Sequence, residues 1–305
     1  MLNEPDLRGR FVRIAPRSAA KEELLQVHSP GHIRKLESTQ GKAFTHLGPD
    51  TQASAFSYDA ALLAAGGLCR AIEPVHAGRS KAQGFCLYNN VAVGVRFAQN
   101  RLGLGRILVV DWDLHHGNGT QRCFKADPTV LFFSVHQAVG YPGCGDAEYA
   151  GIFEKILRPV TLEFGPELIL VSAGFENHLN DPLGSMRVTE RGFAGLTRSI
   201  LTTADQCCGG KLVMTLEGGY DLEALRLSVK AVLRKLAGMQ ATDPAAIAAG
   251  VDDRVLAYLL WRVRRVHGRY WKSLEPASNE GADRPPTVPE RLRETMARVM
   301  DYLRS

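Results

Sequence analysis

The sequence contains no long hydrophobic run. No apolar stretch approaches the roughly 20 residues that a membrane-spanning helix needs, and the opening MLNEPDLRGR lacks the apolar core of a secretion signal. The 6 cysteines are scattered without a CxxC pair, so we expect neither a structural zinc module nor a disulfide framework. These absences exclude membrane-spanning and secreted classes, and they favour a cytoplasmic protein.

The remaining composition is that of an ordinary globular protein. The 305 residues are 45% hydrophobic and 23% charged, which is enough apolar material for a sizeable core. The net charge of +5 is modest, because 32 acidic residues accompany the 37 basic ones. A basic run lies on an amphipathic segment, where a solvated face is the expected role and direct binding of nucleic acid is not. It comprises Arg262, Arg264, Arg265 and Arg269. The function classes that the composition leaves are an enzyme and a binding protein.

Four short runs of aliphatic and β-branched residues predict buried strands. They are Ile107–Trp112, Val130–Val135, Leu168–Ala173 and Lys211–Glu217. Continuous apolar runs, rather than alternating ones, indicate strands covered on both faces, as in a parallel sheet. Helical segments lie between or beside them, at about Gln52–Glu73, Asn89–Leu102, Ala147–Glu163, Glu190–Gln206 and Leu222–Leu236. The alternation predicts an α/β domain with helices on both faces and a ligand site at the carboxyl ends of the strands.

The pattern changes after Gly238. Residues 252–266 have the spacing of an amphipathic helix, and residues 275–286 form a polar linker that contains proline. Residues 287–290 resemble a capping box, and apolar residues then recur at helical spacing. These are Leu292, Met296, Val299, Met300 and Leu303. We therefore divide the chain into a domain over 1–274, a linker over 275–286 and an amphipathic helix over 287–305. The helix is expected to dock on its own domain, with partner binding as the alternative.

The most informative segment is DWDLHHGNG at Asp111–Gly119, directly after an apolar strand. Alternate side chains of a strand share a face, so Asp111, Asp113 and His115 are expected to point the same way. Carboxylate oxygens and an imidazole nitrogen suit zinc or another divalent first-row ion. The alternative, a polar turn with a structural histidine, would suit a lone histidine better than this run.

Three further segments carry chemically useful groups at strand ends or in turns. Glu176 in SAGFENH offers a further acidic ligand, which would complete a three-ligand catalytic site. Tyr220 in LEGGY can donate a hydrogen bond to a developing oxyanion. His76, followed by GFCLYNN, offers a candidate base and an aromatic wall. Each of these is weak alone, since Tyr220 could equally be a packing residue and His76 a surface residue.

Taken together and in this order, the segments resemble the histone deacetylase family of zinc-dependent amidohydrolases, especially its class II and bacterial members. The motifs are DWDLHHGNGTQ, GFCLYNN, FFSVH, SAGF, DPLG, LEGGY and RYWKSL, spread from about Ala15 to Leu274. The resemblance implies a three-layer α/β/α arginase-deacetylase fold with a mostly parallel sheet. It also implies hydrolysis of an acyl-amide in an acetylated lysine peptide or a small acetylated amine. One zinc per chain is expected, and the family pattern allows potassium.

The resemblance further implies roles for individual residues. The zinc ligands would be Asp113, His115 and Glu176. Tyr220 would polarise the scissile carbonyl. His76, at the second of two tandem histidine positions in the family, would act as general base and acid, with Asn118 orienting its ring.

Substrate and potassium positions follow from the same resemblance. The substrate would be contacted by Asp50 at the rim, Gly84 and Phe85 along the acyl tunnel, and Leu183 in DPLG. Leu183 suits a peptide-type tunnel better than the acidic gatekeeper of polyamine-selective relatives. A potassium site would comprise Asp111, Ser134 and Val135. A second would use the main chain at Phe124, Asp127 and Val130.

The sequence departs from the family pattern within the predicted site. Val75 occupies the position of the first tandem histidine, and Glu176 replaces the usual aspartate. The chain is also shortened before Ala15, before His76, and between His136 and Asp146. We therefore expect fewer strands than the family has and exposed sheet edges. The alternative to a working deacetylase is a catalytically impaired relative kept for metal binding or interaction.

Overall fold

The computed structural model describes residues 1–72, 85–137, 143–239, 243–249 and 253–275. The strands are β1 Thr45–Gly48, β2 Thr51–Ala53, β3 Ile107–Asp111, β4 Val130–Ser134, β5 Leu168–Ala173 and β6 Leu212–Leu216. The first helices are α1 Lys21–Leu25, α2 Pro30–Glu37, α3 Ser57–Ala71, α4 Asn90–Leu102 and α5 Asn118–Phe124. The later ones are α6 Asp146–Ile152, α7 Arg158–Phe164, α8 Glu190–Cys208, α9 Leu222–Leu236, α10 Pro244–Ala248 and α11 Asp253–His267.

The central sheet has the strand order β4-β3-β5-β6, and all of its neighbouring strands are parallel. Asp111 at the end of β3 lies in register with Ser134 of β4 and with Ser172 of β5. The carboxyl ends of the strands therefore meet at one edge of the sheet. The four predicted strands are confirmed, with ends that differ by at most one residue from those expected.

Alternate residues of the sheet enter two separate cores. On one face, Ile107 and Val109 of β3 share a core with residues of α1, α2, α3 and α4. On the other face, Leu108 and Val110 share a core with residues of α6, α8 and α9. Helices thus cover both faces, and the inner strands β3 and β5 are buried as their continuous apolar runs predicted. This arrangement is the three-layer α/β/α architecture. The expectation of burial was wrong for the outer strands: β4 has one buried residue and β6 has none, since each has a single neighbouring strand within the described residues.

Two predicted helices differ from the structure. The helix expected from Gln52 begins at Ser57, because Thr51–Ala53 pair with Thr45–Gly48 as an antiparallel hairpin that the sequence analysis missed. The helix expected over Ala147–Glu163 is interrupted by a π-helical turn at Phe153–Leu157. That turn ends two residues before Pro159, which has no N–H to donate to the α-helical ladder.

The predicted linker and C-terminal helix cannot be compared with the structure, because residues 276–305 lie outside the described ranges. The predicted three-part division of the chain therefore stays a prediction. Within the described ranges, no helix combines the length and the apolar character required to cross a membrane.

Candidate active site

Three side chains converge beyond the carboxyl ends of the inner strands. Asp113 and His115 follow β3, and Glu176 follows β5. Potential ligand atoms from all three lie within 4.8 Å of one another. His115 Nδ1 is 3.1 Å from Asp113 Oδ1 and 3.9 Å from Glu176 Oε1. Two carboxylates and one imidazole form a donor set that suits a divalent first-row ion.

The two carboxylates of this group are buried, whereas the imidazole is accessible. The side chains of Asp113 and Glu176 are 8% and 3% exposed, and that of His115 is 63% exposed. Burial, and secondarily the negative charge of Asp113, raise the pKa of Glu176 to about 8. Neighbouring buried carboxylates repel each other unless a proton or a cation compensates them. The electrostatics therefore favour a bound cation.

Two glycines provide the space that the carboxylates occupy. A Cβ atom at Gly218 would overlap Glu176 Oε1, and one at Gly174 would overlap the carboxylates of both Asp113 and Glu176. The longer side chain of Glu176 is thus accommodated over the bare backbone of Gly218. Glu176 Oε2 is buried and has no hydrogen-bond partner within the described residues. The residues present therefore fit a metal ion in this position.

Asp111 is not part of the group of three but contacts the backbone of Asp113. It is fully buried, and its Oδ1 accepts a hydrogen bond from the backbone N–H of Asp113 at 3.1 Å. Its carbonyl accepts the N–H of Val135 at 2.9 Å. Ser134 pairs with Asp111 in register, and its hydroxyl lies 3.0 Å from His136 Nδ1. The structure thus brings together Asp111, Ser134 and Val135, the residues of the predicted potassium site.

The second predicted potassium site lies in the turn before β4. There the N–H of Asp127 donates to the carbonyl of Phe124 at 2.8 Å, and the N–H of Val130 donates to that of Asp127 at 3.2 Å. Two of the three carbonyls therefore already accept a backbone hydrogen bond. This site stays a prediction.

Tyr220 and Phe85 form an aromatic pair beside the carboxylates. Their ring centroids are 6.4 Å apart at an interplanar angle of 69°, and the residues are 44% and 62% exposed. Burial, and then the charge of Glu176, raise the pKa of Tyr220 to about 12. Its hydroxyl therefore keeps its proton at neutral pH. Phe85 adopts φ 61°, a backbone conformation that residues other than glycine rarely adopt.

Three of the other predicted site residues lie within the described ranges. Leu183 is half-exposed, and Asp50 is an exposed residue of the β1–β2 turn whose Oδ1 accepts the Thr51 hydroxyl. Asn118 begins α5, and its Oδ1 accepts a hydrogen bond from Arg122 at 3.2 Å. Residues 75, 76 and 84 lie outside the described residues. The roles of His76 and Gly84, and the expected contact between Asn118 and His76, therefore stay predictions.

One residue of the site was missed by the sequence analysis. Asp181 is 6% exposed, and its Oδ2 accepts the backbone N–H of Tyr220 at 2.6 Å. In the sequence, the DPLG segment predicts only Leu183 as a site residue. An aspartate before proline signals a turn, but the signal does not identify a partner 39 residues away.

A three-layer α/β/α domain with two carboxylates and an imidazole beyond its inner parallel strands is an arginase-deacetylase fold. The family model for the histone deacetylase domain matches residues 1–151 and 141–236. The solved structure "Crystal Structure of HDA15 HD domain" superimposes with a TM-score of 0.77 at 31% identity, over 90% of this chain and 86% of that chain. This chain belongs to the histone deacetylase family.

Two relatives illustrate the similarity in sequence. A "Probable deacetylase" of Archaeoglobus fulgidus is 35% identical over 320 aligned positions, which cover 86% of this chain and 87% of the relative. The "Polyamine deacetylase HDAC10" of Homo sapiens is also 35% identical, over 94% of this chain and 51% of the relative. The chain therefore spans about half the length of the human protein.

The residues matched by the family model differ from the range predicted from the motifs. The family match begins at residue 1 rather than near Ala15. The alignment with the archaeal relative has 320 positions although this chain has 305 residues, so the relative has segments without a counterpart here. The motif spacing likewise predicts a chain that is shorter than its relatives.

Proposed function

We propose that this chain hydrolyses the acyl-amide bond of an acetylated amine, with an acetyl-lysine peptide or a small acetylated amine as substrate. The observation that carries the proposal is the convergence of Asp113, His115 and Glu176 within 4.8 Å. The names of the relatives, which are deacetylases, support the reaction class. The scattered cysteines support the cytoplasm as its compartment.

We propose zinc, one ion per chain, as the cofactor, and Asp113, His115 and Glu176 would hold it. When bound, zinc lowers the pKa of a coordinated water and polarises the amide carbonyl. The buried carboxylate pair and the space over Gly174 and Gly218 support this assignment. Potassium is proposed at the position formed by Asp111, Ser134 and Val135.

Tyr220 would stabilise the charge that develops on the substrate carbonyl. Its raised pKa keeps the phenol protonated, so it can donate a hydrogen bond to the oxygen as that oxygen becomes negative. Loss of one such donor typically lowers the rate by ~10²–10³.

His76 would move the proton, as its position in the family motif implies. It would accept a proton from the attacking water and return it to the leaving amine. Since Val75 occupies the position of the first tandem histidine, one histidine would serve both steps. Asn118 would orient the ring of His76 through its second nitrogen.

Substrate selection would depend on the residues around the entrance. Phe85 and Gly84 would line the acyl chain, and Asp50 would hold the substrate backbone. Leu183 carries no charge, so it offers no electrostatic attraction to a polycationic amine. We therefore favour an acetylated peptide over an acetylated polyamine.

The test combines metal analysis with steady-state hydrolysis. Purified protein should contain about one zinc per chain and should hydrolyse an acetyl-lysine peptide faster than an acetylated polyamine. Tyr220→Phe should lose ~10²-fold or more in kcat, whereas Tyr270→Phe, a change of an exposed tyrosine in the segment after α11, should not. A zinc-loaded protein that hydrolyses neither substrate would overturn the hydrolase proposal and support the impaired metal-binding relative.

A further inference from the structure

Tyr220 lies in a turn, Glu217–Asp221, in which no residue is buried. The turn connects β6 to α9, and Tyr220 is 44% exposed. Backbone bonds anchor the start of the turn to the segment after β5, since the N–H of Glu217 donates to the Ala173 carbonyl and that of Phe175 to the Gly218 carbonyl. At the end of the turn, Asp221 caps α9, and the backbone N–H of Tyr220 bonds to a side chain from another segment.

The anchor is the buried carboxylate of Asp181. Its Oδ2 accepts the backbone N–H groups of Tyr220 at 2.6 Å and of Asp221 at 3.3 Å. Its Oδ1 accepts the N–H of Leu183 at 3.0 Å. Hydrogen bonds to a charged acceptor are roughly twice as strong as neutral ones. One side chain therefore links the turn that carries Tyr220 to the segment that carries Leu183.

We propose that Asp181 is a positioning residue that holds Tyr220 in its reactive place and Leu183 at the entrance in a fixed relation to it. The inference rests on the proposed function, in which Tyr220 is the donor to the substrate oxygen. Misplacement of such a donor by about 1 Å can cost ~10²-fold in rate. The geometry thus couples substrate selection at Leu183 to catalysis at Tyr220.

Asp181→Asn tests this link with little change of shape. Asparagine offers one acceptor oxygen and one NH₂ group, so it cannot accept from both Leu183 and Tyr220 in either orientation. We expect kcat on an acetyl-lysine peptide to fall by ~10- to 10²-fold. Asp243→Asn is the matched control, because Asp243 is also a carboxylate that accepts a backbone N–H, at the start of α10 and far along the chain.

A double-mutant cycle shows whether Asp181 acts through Tyr220. In the protein with Tyr220, Asp181→Asn should lower kcat by the ~10- to 10²-fold given above. In the Tyr220→Phe variant, the same substitution should lower kcat by less than about threefold. Zinc content and melting temperature should match those of the control variant. An equal loss in both backgrounds would overturn the proposal, because Asp181 would then act independently of the phenol, while the deacetylase activity itself would stand.

Amide exchange provides a readout that needs no turnover. The Tyr220 N–H should exchange slowly with solvent in the unsubstituted protein, since Asp181 accepts it, and exchange at least about tenfold faster in Asp181→Asn. Fast exchange in the unsubstituted protein would overturn the proposal even if the variant failed to fold. Slow exchange in a protein that binds zinc but hydrolyses nothing would refute the proposed function and leave the anchor intact.

Discussion

The inner strands of the sheet differ from the outer strands in burial and in what they carry. Every residue of β3 and β5 is buried, whereas in β4 only Val130 is buried and in β6 no residue is. The inner strands lead to the carboxylates of Asp113 and Glu176, and an outer strand leads to the half-exposed Tyr220. The charges that would bind the ion are thus held where packing is tightest. Tyr220, which would contact the substrate, follows an outer strand that has no buried residue.

The outer strands also lie at the margins of the sheet, and one of them borders a cavity. Within the described residues, β4 and β6 each have one neighbouring strand. A cavity of about 400 Å³ lies against β4, lined by Leu131, Phe133, Leu259 and Trp271 among others. Sheet edges are normally covered or charged. The sheet therefore has a buried centre and margins that the described residues leave partly uncovered.

The largest expected effect comes from closing the space over the inner strand ends. Gly218→Ala should abolish zinc binding and hydrolysis, because the new methyl group would overlap the Glu176 carboxylate. Zinc content and kcat measure the effect. Gly31→Ala in α2, where a Cβ atom has no neighbour within 4 Å, is the control. Normal zinc binding in Gly218→Ala would show that the Glu176 carboxylate can move without loss of the site.

A matched pair of leucines tests the difference in burial directly. Leu170→Ala in β5 should lower the free energy of unfolding by about 2–5 kcal/mol, because it leaves a cavity beside a fully buried strand. Leu216→Ala in β6 should change it by less than about 0.5 kcal/mol, since Leu216 is 56% exposed. Urea denaturation measures both. Equal losses would mean that the outer strand is covered in solution.

The carboxylate pair predicts how the metal-free protein responds to pH. Burial raises the pKa of Glu176 to about 8 in the folded protein. The stability that Glu176 contributes is therefore fully present at pH values below the ordinary glutamate pKa, and it is lost as the pH rises towards 8. The slope cannot exceed about 1.4 kcal/mol per pH unit for one proton. Glu176→Gln should remove this loss, and Glu22→Gln in α1 should not. Melting temperatures of chelator-treated protein between pH 5 and 8 provide the test.

The smallest effect on stability is expected at the open margin. Leu216→Lys should leave the free energy of unfolding within about 0.5 kcal/mol. It should also reduce self-association, because β6 has no second neighbouring strand within the described residues and a charge beside such an edge opposes strand pairing. Light scattering over a range of concentrations measures association. Leu63→Lys, an exposed leucine of α3, is the control. Equal reductions in both variants would indicate that general hydrophobicity, not the edge, drives association.

The positions of the four strands along the chain could be predicted because parallel strands appear as continuous apolar runs. The burial of β4 and β6 could not, because only the tertiary structure decides which strands lie at the centre of the sheet. Asp113, His115 and Glu176 could be predicted as ligands for a related reason. They follow predicted parallel strands, and the carboxyl ends of such strands share one edge of the sheet. The hairpin at Thr45–Ala53 was missed, because its residues resemble the start of the following helix and only strand pairing distinguishes them.

The sequence by itself determined the layers, the strands and the types of ligand, because each of these depends on residues close together in the chain. Only the tertiary structure decided that Gly218 makes room for Glu176 and that Asp181 holds Tyr220. Those contacts join segments separated by about 40 residues. The contacts form because adjacent parallel strands bring turns that are distant in sequence to the same edge of the sheet. There the lack of a side chain at Gly218 leaves space for Glu176, and one carboxylate oxygen of Asp181 binds the backbone of Tyr220.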